Sequence, residues 1–248
     1  MNLNIFNPYK ILKGFKSYTI CGAVFMLFFT ELKAQDTTLN KYGLWVINDE
    51  ATYNATVKND AGKRMEDVKK YIPTAIVHLA YAHTANFMHA KLYPPVKTTY
   101  LRHDAIIALK KVQSDLKKKN LGIKIWDAYR PYSITEKMWE PVKDSRYAAD
   151  PKFGSGHNRG IAVDLTLVNL KTGKELNMGT GFDNFTDTAH SDFTNLPVTI
   201  LANRELLKKI MGKFGFKVLD TEWWHFYLPD SKKYELLDLD FETLKKLK

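Results

Sequence analysis

A mixed α+β fold, a small antiparallel sheet with helices packed on it, is what this sequence of 248 residues predicts. Three observations carry that expectation. Apolar residues recur at helical spacing in two stretches: Ala105, Ile106, Leu109, Val112 and Leu116, then Leu206, Leu207, Ile210, Met211 and Phe214. Short runs between and after them alternate as strands do, with Ile161, Val163 and Leu165 set against Ala162, Asp164 and Thr166. The order of helices and strands is irregular, which favours segregated layers over repeated βαβ units.

Taken along the chain, residues 1–34 read as a secretory signal peptide. Lys10, Lys13 and Lys16 precede the apolar run from Tyr18 to Phe29, and Ala34 offers a small residue for cleavage. The run is shorter than the ~18–20 residues a transmembrane helix needs. Export to the periplasm or the extracellular space is therefore expected, with no stable membrane insertion after cleavage. Removing this segment takes away Lys10, Lys13, Lys16, Lys33 and Glu31, lowers the net charge from +10 to +7, and removes the only cysteine, Cys21. The mature chain must then hold together through its core or a metal.

Residues 35–65 are polar, with a strand-like patch from Tyr42 to Ile47, and are expected to wrap a catalytic domain spanning 66–248 as an arm. The stripe beginning at Ala105 ends at Asn120 to Gly122. Ile123 and Ile125 alternate with Lys124 and Trp126 as the next strand. Ser133-Ile-Thr-Glu136 has the pattern of a capping box opening a helix that stops near Pro141. The stripe beginning at Leu206 is closed by Gly215 at the C′ position. The aromatic run from Trp223 to Leu228 is strand-like. Trp126 and Trp139 read as core.

Composition narrows the function. With 45% hydrophobic and 26% charged residues the chain is ordinary globular material, neither disordered nor collagen-like. Its basic balance invites a nucleic-acid reading, but the aromatics are not interleaved with the lysines as a single-strand groove requires. Lys117, Lys118 and Lys119 end a helix, where cations suit the macrodipole. No nucleic-acid partner is expected.

Three segments carry chemistry. In Ser155-Gly-His157-Asn-Arg-Gly160-Ile-Ala-Val-Asp164, a histidine precedes a turn and the following strand directs Asp164 away from its apolar side. In Glu222-Trp-Trp-His225 the two polar residues point to opposite faces of a regular strand, and serve one site only if that strand bends. In Trp126-Asp-Ala-Tyr-Arg130-Pro, an arginine follows a buried-looking strand. Two imidazoles and one carboxylate form an open zinc set that leaves a fourth position for water. A glutamate outside that set can move protons, and an arginine can stabilise an oxyanion. On spacing alone the same residues also read as satisfied polar groups on strand edges. His78, His83, His89 and His103 lack partner spacing and read as surface or packing residues, whereas His190 is a candidate to line the pocket.

The combination Ser155-x-His157-x-x-Gly160-x-x-x-Asp164 with Glu222-Trp-Trp-His225 resembles the D-alanyl-D-alanine dipeptidase family of zinc peptidases, which share a hedgehog-type fold with D,D-carboxypeptidases. The likeness runs from about Tyr42 to Leu228. It includes Asn86-Phe87, Asp127-Ala-Tyr-Arg-Pro131, Ala149-Asp-Pro151, Met178-Gly-Thr-Gly-Phe-Asp183 and Asn203-Arg204. The resemblance implies one Zn2+ per chain, held by His157, Asp164 and His225. It implies Glu222 as general base and acid, and Arg130 as the group that steadies the tetrahedral intermediate. Asp183 and Ser155 match positions that receive a substrate ammonium, so a small dipeptide is the implied partner, cleaved to two D-alanines in cell-wall turnover. Where family members often carry Asp-x-Arg-Tyr, this chain has His78-Leu-Ala80-Tyr81. A carboxypeptidase acting on wall stem peptides is the rival enzyme, and Asp183 argues against it. A binding module without turnover has no need of Glu222 and Arg130.

Overall fold

The computed structural model describes residues 39–247, so the expected signal segment 1–34, Cys21 included, lies outside the described residues. The chain enters through β1 (Val46–Ile47), α1 (Glu50–Asn59), β2 (Met65–Asp67), α2 (Val68–Tyr71) and β3 (Ile76–Val77). After a long irregular stretch come β4 (Tyr100–Arg102), α3 (His103–Lys117), β5 (Leu121–Asp127) and α4 (Tyr132–Val142). A second irregular stretch leads to β6 (Ala162–Asn169), then α5 (Val198–Lys213), β7 (Lys217–Leu219) and β8 (Glu222–Tyr227). The chain finishes with β9 (Leu236–Leu237) and α6 (Phe241–Lys246).

The fold is α+β, as the sequence predicts. A five-stranded sheet has the order β3-β5-β6-β8-β7, antiparallel from β5 to β7. Only the two-residue edge strand β3 joins it in parallel, pairing with β5. One face of this sheet presents Ile123, Ile125, Val163, Leu165, Leu167, Trp224 and Phe226, all buried in one cluster with Leu109, Val112 and Leu116 of α3 and Leu207, Ile210 and Met211 of α5. The predicted helical stripes thus pack on the predicted strand faces. Burial of this layer stabilises the fold by roughly 25 cal/mol per Å2 of apolar surface removed from water.

Helix ends follow local chemistry. Asn120 takes the left-handed conformation (φ 55°) just past α3. After α5, Gly215 has φ 91°, its N–H donates to the Gly212 carbonyl, and the Phe216 N–H donates to Met211. That is the Schellman arrangement, which favours glycine at the left-handed position. The start of α4 differs from the sequence expectation. Pro131 occupies the N-cap with no side-chain cap, and the Ser133 N–H donates instead to the Asp238 carboxylate at 2.9 Å. The capping box is not formed because a distant carboxylate already satisfies that free N–H.

Residues 39–65 contain more regular structure than the expected strand-like patch. Here β1 pairs in parallel with β9, and α1 buries Tyr53, whose hydroxyl accepts from the Met65 N–H at 2.7 Å. A second apolar cluster gathers Ile47, Tyr53, Tyr93, Tyr129, Leu237 and Phe241. Trp126 is buried, whereas Trp139 is only partly so. Among the described residues no helix is long and apolar enough to cross a membrane.

Candidate active site and metal centre

The face of the sheet opposite α3 and α5 carries a row of polar residues across three strands. In register, Asp127 of β5 lies opposite Asp164 of β6, and Asp164 lies opposite His225 of β8. A register shift at Trp126 lets Asp127 keep this alignment after Ile125 has paired with Leu165. Alternation along β6 does the rest, sending Val163 and Leu165 to the core and Asp164 to the other side.

His157 reaches the same point from the loop before β6. Gly160 permits its turn: φ is 69°, and an added Cβ would come within 2.7 Å of the Met65 sulfur. Asn158 ties this loop to the neighbouring one. Its Oδ1 accepts from the Ser155 N–H, while its Nδ2 donates to the Arg130 carbonyl and the Thr135 hydroxyl.

His157, Asp164 and His225 each offer one ligand atom, and these atoms lie within 4.8 Å of one another. His157 Nδ1 donates to the Ala128 carbonyl at 2.7 Å, which leaves Nε2 with its lone pair in the neutral ring. That Nε2 faces His225 Nδ1 at 3.2 Å and Asp164 Oδ2 at 3.3 Å, and His225 Nδ1 also lies 2.9 Å from Asp164 Oδ1. Burial disfavours the Asp164 carboxylate, yet His157 and His225 beside it hold its pKa below the usual range. Lone pairs converging from two imidazoles and an ionised carboxylate suit a cation, and the hydrogen-bonded Nδ1 supplies the outer support that a metal-binding histidine ordinarily has. The donor set fits one zinc-sized ion.

Glu222 joins this cluster although simple alternation puts it on the other face from His225. Between the pairs Val218–Phe226 and Leu219–Glu222, β7 advances one residue while β8 advances four. The resulting bulge turns β8, and Glu222 Oε2 lies 3.9 Å from His225 Nδ1. Burial raises the pKa of Glu222 above that of a free glutamate, although the His225 charge works the other way. A carboxyl tuned upward in this manner is suited to taking and returning a proton.

Arg130 is buried and fixed by Asp127, whose Oδ2 accepts from its Nε at 3.0 Å and Nη2 at 2.7 Å. Asp127 Oδ1 accepts from the Tyr93 hydroxyl and the Ala128 N–H. Sequence reasoning gave Asp127 no role; an aspartate ending a buried strand three residues before an arginine is the signal that could have marked it. Burial works against the Arg130 cation, but Asp127, Tyr93, Tyr81 and Asp164 together outweigh it and the pKa rises.

Asp183 lines the same pocket and takes the left-handed conformation (φ 56°), uncommon for a residue with a side chain. The Tyr81 hydroxyl lies 3.2 Å from both of its carboxylate oxygens. Burial, then the nearby Asp164 charge, pushes its pKa up to about 8. Such a carboxyl is mostly protonated at neutral pH until a cation arrives. Tyr81 is the residue kept from the divergent segment His78 to Tyr81, while His78 stacks on His83 at 4.7 Å. His103 lies 3.1 Å from the Glu66 carboxylate, away from the cluster.

A pocket of about 210 Å3 is lined by Arg130, His157, Asp164, Asp183, Glu222 and His225, with Ser155 in its wall. That is below the ~300–1,000 Å3 usual for drug-sized ligands, so it suits a smaller molecule. The Ser155 hydroxyl accepts from the Asn158 N–H at 3.2 Å, so its oxygen is engaged in the turn. His190 does not line this pocket; it lines an adjacent cavity that also touches Glu222. Trp223 and Trp224 are packing residues, with the Trp223 indole N–H donating to the Thr180 hydroxyl.

An open two-histidine, one-carboxylate centre beside a half-buried glutamate and a buried arginine is the equipment of a metallopeptidase. The chain belongs to the D-ala-D-ala dipeptidase family, Peptidase_M15, whose profile matches residues 61–244. The D-alanyl-D-alanine dipeptidase of Escherichia coli is 37% identical over 171 residues, spanning 69% of this chain and 88% of that protein. The enzyme of the same name from Streptomyces coelicolor is 33% identical over 142 residues, covering 50% of this chain and 70% of its own length. That of Enterococcus faecalis is 29% identical over 143 residues, covering 50% and 71%.

Proposed function

We propose that this chain is an exported zinc dipeptidase that hydrolyses D-Ala-D-Ala to two D-alanines, and that it works in turnover of released cell-wall peptides. The observation that carries the reading is the convergence of His157, Asp164 and His225 within 4.8 Å, with Glu222 3.9 Å from His225. The names of the relatives support the substrate, and the small pocket supports a dipeptide over a long chain.

His157, Asp164 and His225 would hold the zinc ion, which would supply Lewis acidity to the scissile carbonyl and a lowered pKa to the attacking water. Glu222 removes the proton of that water and returns it to the leaving amine. The Arg130 guanidinium, held in place by Asp127, faces the carbonyl oxygen as it gains negative charge. Asp183 and Ser155 receive the substrate ammonium. Because burial keeps Asp183 protonated without a cation, the α-ammonium of a short substrate has to draw out the charge, and an internal peptide nitrogen cannot. Export rests on the composition of residues 1–34.

The direct test is to assay purified, zinc-loaded protein against D-Ala-D-Ala, L-Ala-L-Ala and a stem pentapeptide. Release of D-alanine from the first and neither cleavage product from the others is expected. Preferred cleavage of the pentapeptide would assign the chain to the carboxypeptidase alternative.

A further inference from the structure

Beyond the charge at Asp183, three loops meet over the pocket through aromatic rings. Phe87 comes from the stretch after β3, Tyr147 from the stretch after α4, and Phe185 from the loop that carries Asp183. Phe185 contacts both others, at 5.5 Å from the Phe87 ring and 4.8 Å from the Tyr147 ring. Phe87 and Tyr147 line the catalytic pocket, and Phe87 packs edge-on against Tyr81, whose hydroxyl holds Asp183. Phe185 does not line that pocket. It lines a second cavity of about 170 Å3, which shares Arg146, Tyr147, Thr221 and Glu222 with the first. The bridge therefore stands beside the ammonium end, with room behind it.

We infer that the Phe87–Phe185–Tyr147 bridge sets substrate length by sterically closing the pocket past the amino end, with Phe185 as its central residue. This rests on the dipeptidase reading above and deepens it: Asp183 selects a terminal ammonium, and the bridge independently excludes a residue added before it. Three half-buried rings from separate loops form a barrier that Phe185 ties together, since it alone of the three touches both others. Cutting Phe185 back to alanine removes the ring that backs Phe87 and Tyr147 and enlarges the second cavity, where an added residue is expected to lie.

The test compares kcat/KM on D-Ala-D-Ala with that on a tripeptide extended by one alanine at the amino end, for wild type, Phe185→Ala and Phe185→Leu. Wild type is expected to turn over the dipeptide and leave the tripeptide nearly untouched. Phe185→Ala is expected to raise the tripeptide-to-dipeptide ratio at least tenfold, and Phe185→Leu, which keeps bulk, to stay near the wild-type ratio. An unchanged ratio in Phe185→Ala, or equal loss on both peptides, overturns the length gate alone. Wild-type protein inactive on D-Ala-D-Ala overturns the substrate reading and the gate with it.

Discussion

The two faces of the central sheet use the same strands for opposite purposes. One side of β5, β6 and β8 buries Ile125, Leu165 and Phe226 against α3 and α5. The other aligns Asp127, Asp164 and His225 in a row. A buried polar group is costly unless partnered, and every member of this row has partners: Asp127 alone accepts from Tyr93, Ala128 and twice from Arg130. Leu165 and Asp164 are sequence neighbours and differ only in which way the pleat sends them. Folding strength is concentrated on one face, and reactivity on the other.

Substitutions on the two faces should separate along that line. The largest effect is expected from Glu222→Ala, which removes the proposed proton carrier and should lower kcat by about 10²–10⁴-fold. Zinc content and thermal midpoint should stay near wild type, and unaltered turnover would remove Glu222 from the mechanism. Next, Leu165→Ala on the apolar face should cost about 2–5 kcal/mol of stability, measured by urea unfolding. The catalytic constant of the surviving folded fraction should change little; a kcat loss matching that of Glu222→Ala would dissolve the division between faces. Asp183→Asn should raise KM for the dipeptide by about tenfold or more, the scale of ~1.4 kcal/mol from a lost charge pair. It should barely alter any residual cleavage of an amino-blocked peptide, and equal effects on both would sink the ammonium-site assignment.

The most gradual effect is a pH slope. Asp183 in the folded protein keeps its proton up to about pH 8, whereas in the unfolded chain it ionises near 3.8. Between those values the folded state binds more protons, so this group makes the metal-free protein lose stability as pH rises from about 4 to 8, by at most ~1.4 kcal/mol per pH unit. Unfolding of chelated wild type and Asp183→Asn at pH 5, 6 and 7 should show a steeper decline in wild type. Parallel curves would mean that Asp183 is not perturbed.

Much of this division is legible in the sequence because it depends on period. The stripes of α3 and α5 and the alternation of β6 are repeated signals, so Asp164 could be placed on the face away from the core. What is not legible depends on irregularity. The bulge that brings Glu222 to His225 leaves no mark in the aromatic run around it. Helix α1 escapes notice because two of its three buried residues, Thr52 and Thr56, are polar and make no apolar stripe beside Tyr53. The capping pattern at Ser133 is present in sequence, but Asp238, over a hundred residues later, takes its place. The role of Tyr81 likewise emerges only from a long-range contact, to Asp183, whereas Asp127 holds an arginine three residues away and its signal is local.

The central claim is that one zinc ion sits among His157, Asp164 and His225 and that Glu222 acts beside it without holding it. Elemental analysis of the purified wild type, His157→Ala and Glu222→Ala proteins, each dialysed after zinc loading, tests this directly. The account predicts one zinc per chain in wild type and in Glu222→Ala, and a marked loss in His157→Ala. Full zinc occupancy in His157→Ala would contradict it.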